Sequence, residues 1–455
     1  MAAADATTDR AVETAVRTAM WRLLPFLGLC YLLNYVDRVN VGFAALTMNA
    51  ELGLSATAYG LGAGLFFIGY FFFEVPSNVI LHRVGARIWI ARIMISWGVI
   101  ASATAFVHGE IGFYVVRFLL GIAEAGFLPG IILYLTFWFP RARRAKVVAL
   151  FFLAVPLSSV LGAPISTLLI QNGDGALGFD AGWRFMFFVE GIPVVLVGAL
   201  VLLLLPDRPT SARWLTETQQ HALEQRIAEE DSVQVPQETG LRAGLRDRRV
   251  IALAVIYFGA AFGLYVLAFF LPQVVSGLQQ RFGVRFSLLD IGLITAAPYV
   301  VASVVMVLNA RHSDRTGERR LHIAVPAFLG AVSVAIALFL DSPYLVMAAM
   351  TLCAVGVFAV TPVIWQLPSQ FLTGAGAAAG IALINSFGNL SGFVGPYLTG
   401  WLQELTGSFR AGMFVVAAFM LLAAVTVLLM RPEHDRYTVQ STSARDGVPR
   451  CRRIR

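Results

Sequence analysis

Tyr31-Leu-Leu-Asn34-Tyr35-Val-Asp37-Arg38-Val-Asn40 sets a carboxylate beside a guanidinium inside an otherwise apolar run from about Trp21 to Leu46. A helix of about 20 residues crosses a bilayer, so this run is long enough to span one. A charge at the centre of such a span costs at least ~2.5–3.5 kcal/mol and normally faces a partner or a water-filled cavity. Arg117 and Glu124 repeat the pattern inside Gly112–Phe139. Buried charges in two spans imply a path for something charged.

The composition agrees. Hydrophobic residues make up 58% of the chain and charged residues 13%, where a soluble domain carries about a quarter charged. The net charge of +7 is almost wholly arginine, with Lys146 the single lysine. No basic patch is interleaved with aromatics on a soluble domain, so no nucleic-acid partner is expected. Cys30, Cys353 and Cys451 are scattered and odd in number, which implies no disulfide framework, and the six histidines show no ligand spacing. No metal or other cofactor is expected. The spans hold no nucleophile–base constellation, which argues against an enzyme. The polar first 20 residues argue against a cleavable signal.

Apolar runs of spanning length fall near 21–46, 57–81, 88–107, 111–139, 146–171 and 184–206, then near 250–276, 288–310, 321–340, 343–366, 375–402 and 411–430. The expected fold is therefore an all-α integral membrane protein of twelve transmembrane helices. A tail (1–20) precedes a first six-helix half (21–206). A linker (207–249), with an amphipathic helix over Trp214–Glu230, leads to the second half (250–430) and a basic tail (431–455) expected to be disordered. Arginines concentrate in alternate loops, at 10–22, 83–92, 141–146, 208–249, 311–320 and 431–455. The positive-inside rule then puts both termini and the linker in the cytoplasm of a multi-pass inner (plasma) membrane protein. The register that sets Arg83 on Arg315 also sets Ala163-Pro164 on Gly395-Pro396. A parallel repeat of two six-helix units follows, an arrangement that builds a central binding site between rocking halves.

With these motifs the chain resembles the major facilitator superfamily from Trp21 to Met430. The loop signature Gly-x-x-x-Asp-Arg-x-Gly-x-Arg is carried by Ala310-Arg-His-Ser-Asp314-Arg315-Thr-Gly317-Glu-Arg319. A degenerate copy follows the second span, with His82 in the acid's place before Arg83 and Arg87. The resemblance implies that Arg83, Arg87, Asp314, Arg315 and Arg319 form a conformational latch between helix ends. Asn34 to Ala44, Arg117 to Gly130, Tyr134 to Pro140 and Asn385 to Pro396 are similar to the anion:cation symporter branch, and the first span to bacterial tartrate-type transporters. What this implies is uptake of a small organic anion with protons by alternating access, with H+ as coupling ion and a monomer in the lipid bilayer. On the same fold, proton-antiport efflux of metabolites or drugs and a non-transporting sensor are the alternatives.

Tyr31, Tyr35 and Arg38 share one helical face. The planar fork of Arg38 suits a carboxylate, and the resemblance assigns it the substrate anion, with Tyr35, Tyr70, Trp365 and Asn385 as further contacts. Asp37 projects about 100° away and is placed as a proton-binding acid. Arg117 and Glu124 lie two turns apart, about 10.5 Å, with Gly121 between them leaving room for one to reach the other or for water. The resemblance makes Glu124 the proton carrier and Arg117 its partner or a second contact for the anion. Asn389 is expected to bond between helices. Gly60/Gly64 and Gly388/Gly392 have spacings that permit close helix contact. The apolar Val155-Pro156-Leu157 in the fifth span favours a short or sparsely hydroxylated acid.

Overall fold

The computed structural model describes residues 2–232, 246–371 and 374–430. Part of the linker (233–245), the basic tail (431–455) and the side chain of His82 lie outside the described residues. The first half contains α1 (Ala2–Leu52), α2 (Ala56–Val84), α3 (Ala86–Ala103), α4 (Gly109–Glu124), α5 (Phe127–Thr136), α6 (Arg141–Phe152), α7 (Ala154–Gln171) and α8 (Gly182–Leu204). Linker helix α9 (Glu217–Ser232) follows. The second half contains α10 (Arg248–Phe282), α11 (Leu288–Thr316), α12 (Arg320–Ala337), α13 (Pro343–Ile364), the short α14 (Pro368–Phe371), α15 (Gly374–Thr406) and α16 (Arg410–Leu429).

Eleven described helical stretches are long and apolar enough to cross a membrane. The 33-residue α15 returns the chain between α13 and α16 and completes twelve traverses. Local sequence chemistry sets their ends. Ser55 caps α2 by accepting from the Ala58 N–H at 3.1 Å. Ser287 and Asp290 form a reciprocal capping box on α11, and Gly283 and Gly317 end α10 and α11 in the left-handed region.

The fourth span is one apolar run in the sequence but two helices in the fold. Gly126, at φ +87°, breaks it immediately after Glu124. The Ala125 carbonyl, buried and freed from the helix ladder, accepts from Ser77 Oγ at 2.7 Å. Backbone freed inside a membrane must find such a partner.

The two halves meet along three helix pairs, α2 with α15, α7 with α11, and α1 with α10. Gly60 of α2 lies on the Pro396 backbone, Gly400 of α15 on Ala56, Gly292 of α11 on Ala163 and Thr167, and Gly42 of α1 on Ala268 and Phe269. Of the two small-residue spacings, Gly60 and Gly64 both face α15, and Gly392 faces Phe67 of the other half. Gly388 instead seats Tyr257 within its own half. Polar clasps accompany these contacts: Glu404 accepts from Ser55 Oγ at 2.7 Å and from the Thr57 N–H at 3.0 Å, and Gln171 accepts from the Leu289 N–H at 3.0 Å. All sit toward the face away from the N-terminus, so the halves are shut there.

On the terminal face, the polar 2–20 segment is about five helical turns continuous with the first span. It meets the linker through the Asp9–Arg226 ion pair. The linker helix starts at Glu217, later than the expected Trp214, because Thr216 and Gln219 exchange capping bonds of 3.3 and 3.1 Å. Trp214 stacks on Trp138 (centroids 5.4 Å apart, 19° between planes). Arg87 pairs with Asp207 at the end of the sixth span, 3.2 Å. Arg319 pairs with Asp314, 3.0 Å. Arg83 and Arg315 are exposed.

Candidate functional site

α1, α2 and α4 build a charged cluster in the first half. Asp37 (4% exposed), Arg38 (7%), Arg117 (1%) and Glu124 (0%) are all buried, two acids against two bases. Arg38 spans from α1 to α4. Its Nε donates to Glu124 Oε1 at 2.5 Å, and its Nη2 pairs with the same oxygen. Aromatic rings close around the guanidinium: Tyr35, Phe66 and Tyr70 have centroids 5.2, 5.2 and 5.1 Å from its central carbon, close enough for cation–π attraction. The other oxygen, Glu124 Oε2, is buried without a hydrogen-bond partner.

Arg117 does not reach Glu124. Its Nη2 donates to the Ala63 carbonyl at 3.5 Å, and its guanidinium sits 5.1 Å from the Phe66 ring. Gly121 leaves no room for a reach or for water. Phe66 and Tyr70 backbone fills that space, so the glycine serves the close approach of α2 to α4. Glu124 is thus paired with Arg38 of α1, and not with Arg117 along α4.

The second half brings aromatic and amide groups to the same region. Trp365 packs edge-on against Tyr257, 4.9 Å between centroids, and Tyr265 lies 4.4 Å from Phe67 of the first half. Asn385 and Asn389 of α15 donate together to Glu74 of α2, at 3.2 and 3.4 Å. Gln273 bonds within its own helix, to the Phe269 carbonyl at 3.2 Å.

Two acids beyond those chosen from the sequence belong here. Glu74 faces the amides of α15. Glu190 of α8 accepts from Asn40 at 2.9 Å and from Ser166 at 2.7 Å. The signal for both was the one that found Asp37 and Glu124, since each is a lone carboxylate inside an apolar run (57–81 and 184–206). No cluster of three or more His, Cys, Asp or Glu side chains that could hold a metal occurs among the described residues.

The family model of the Major Facilitator Superfamily matches residues 27–396. A protein of Agrobacterium vitis that carries the name "Putative tartrate transporter" is 50% identical over 415 residues, covering 91% of each chain. A quinolone resistance transporter of Acinetobacter baumannii is 39% identical over 433 residues, covering 95% of this chain and 98% of that one. Among solved structures, a bacterial homologue of the human lysosomal transporter Spinster, inward-facing and occupied, superposes with a TM-score of 0.71 at 17% identity. It covers 90% of this chain and 96% of that one. That likeness concerns the fold alone.

Proposed function

The chain belongs to the Major Facilitator Superfamily, whose members are membrane transporters and not enzymes, and we propose that it takes up a small organic anion, tartrate or a related carboxylate, together with protons. The observation that carries this reading is the buried Arg38–Glu124 pair inside its aromatic cage. Arg38 has the donor geometry for a substrate carboxylate, yet in this conformation Glu124 occupies it. A substrate anion must therefore displace Glu124, and a proton on Glu124 weakens its hold by removing the charge assistance. Proton and anion then bind as allies. Arg38 passes from one carboxylate to the other, and the cavity never closes around an unpaired guanidinium, which would be costly at this depth.

The shut face is the one away from the N-terminus. With the termini in the cytoplasm, as the arginine-rich loops favour, this is a member of an alternating-access cycle that is closed to the outside. In the outward-facing member the Ser55–Glu404 and Gln171–Leu289 clasps part. Asp37 and Glu124 take up protons there, Arg38 captures the anion, and the halves rock. Glu74, held between Asn385 and Asn389, ties the second half to the site.

The test is external alkalinisation when tartrate, other sugar acids and aromatic carboxylates are added to de-energised cells making the protein. One acid should raise the external pH with the wild type and not with Arg38→Ala. Uptake by a well-folded Arg38→Ala variant would sink the assignment of Arg38. The likeness to a quinolone resistance transporter supports efflux as a second reading. In that case expression lowers quinolone accumulation and no acid in the panel moves the external pH.

A further inference from the structure

Glu190 has no role in the mechanism above, and its surroundings are unusual for an acid. Its hydrogen-bond donors are neutral: Asn40 Nδ2 from α1 at 2.9 Å and Ser166 Oγ from α7 at 2.7 Å. None of its described contacts is an ion pair. The charged group that faces it from α1 is another acid, Asp37, whose Oδ1 lies 3.4 Å from the same Asn40 amide nitrogen. α3 meets α8 at this level through Gly98 and Ser102, beside Gly191, and neither carries a charge. One amide thus bridges two carboxylates. Asn40 is fully buried, and its own Oδ1 and Asp37 Oδ2 are buried without hydrogen-bond partners.

The four-residue cluster of Asp37, Arg38, Arg117 and Glu124 is already neutral. A charged Glu190 would add an uncompensated ion in the apolar interior, at a cost of several kcal/mol. Two carboxylates that share one bridging donor do not both stay ionised at low cost either. We propose that Glu190 is a third proton-holding residue of the transport cycle, beside Asp37 and Glu124, linked to Asp37 through Asn40. It takes a proton when the cavity opens to one side and releases it to the other. This rests on the proton-coupled reading above. It adds one proton to the number moved per substrate, carried by a residue that does not touch the anion.

The experiment is a flux ratio in proteoliposomes, with labelled tartrate uptake and internal acidification of a trapped dye followed together, for the wild type and Glu190→Gln. Glutamine keeps the acceptor for Ser166 and can still meet Asn40 once that amide turns over. The variant is expected to move one proton fewer per tartrate, and tartrate exchange, which needs no net proton movement, reports whether it is folded. An unchanged ratio in a variant that exchanges tartrate overturns the inference and leaves the symport reading intact. A wild type that moves tartrate without protons overturns both. Carbodiimide labelling of the wild type in membranes, located by mass spectrometry, needs no variant, because the reagent modifies protonated carboxyls in apolar sites. Glu190 should be modified near neutral pH and spared in alkali, and an unmodified Glu190 under both conditions overturns the inference.

Discussion

Glu124→Gln should make anion binding insensitive to pH. In the wild type, Nε and Nη2 of Arg38 both engage Glu124 Oε1. Hydrogen bonds to charged groups contribute about 1.5–3 kcal/mol each, and with Arg38 charged throughout, swapping carboxylate for amide forfeits only the acceptor's charge. Replacing the carboxylate by an amide keeps an acceptor for Arg38 but removes roughly 1.5–3 kcal/mol of competition over the two contacts. At about 1.4 kcal/mol per factor of ten, that is a ~10- to 100-fold gain in affinity for a carboxylate ligand where Glu124 is ionised. The sign follows from linkage. A proton on Glu124 favours the anion, so wild-type affinity is highest in acid and falls as pH rises through the titration of Glu124. Glutamine imitates the protonated state at every pH and should hold the acid-side affinity throughout. Calorimetry with purified protein and tartrate across a pH series measures this directly. A wild-type affinity that ignores pH would refute the competition argument, as would a Glu124→Gln affinity that falls in parallel with the wild type.

Other substitutions probe the remaining parts of the argument. Arg38→Lys keeps the charge but loses the planar fork, so uptake should fall at least tenfold, and wild-type rates in initial-uptake assays would deny the bidentate role. The pair Ser55→Cys and Glu404→Cys, placed where the native side chains bond at 2.7 Å, should be bridged by a short, reductively cleavable bis-methanethiosulfonate, stop uptake, and recover with reductant. Uptake that continues at full rate through the cross-link would contradict a gate on that face. Trp214→Ala removes an aromatic stack worth about 0.5–1.5 kcal/mol beyond its buried area, so the melting temperature should drop while the KM for substrate stays put. A change in KM alone would mean the linker reaches the site.

The fold was legible because membrane spans announce themselves by length and polarity, and the repeated loop motif gave the two halves. The break after Glu124 was not, since a continuous apolar run reads as one helix, and only the carbonyl–Ser77 bond shows how the interruption is satisfied. For the site, Arg38, Asp37, Arg117 and Glu124 stood out as charges in spans, but their pairing did not. Sequence spacing set Arg117 and Glu124 on one face of one helix and the resemblance made them partners, whereas the Arg38 side chain reaches across from α1 and takes Glu124. Glu74 and Glu190 were visible by the same criterion and became meaningful once Asn385, Asn389 and Asn40 were seen to hold them. On the terminal face, Asp207 answers Arg87 from a distant stretch of chain, which no local motif encodes.

The glycine contacts between the halves bear on leakage. Any carrier that moves ions must not let them slip through while it waits, or the gradient that drives it is dissipated. A barrier of side chains opens whenever rotamers flip, on a picosecond-to-nanosecond scale. Where Gly60 lies on the Pro396 backbone and Gly400 on Ala56, main chain touches main chain and no rotamer can open a gap. Such a seam parts only when whole helix bundles move, in microseconds to milliseconds. The barrier to ions is thereby tied to the slow motion of the transport step itself.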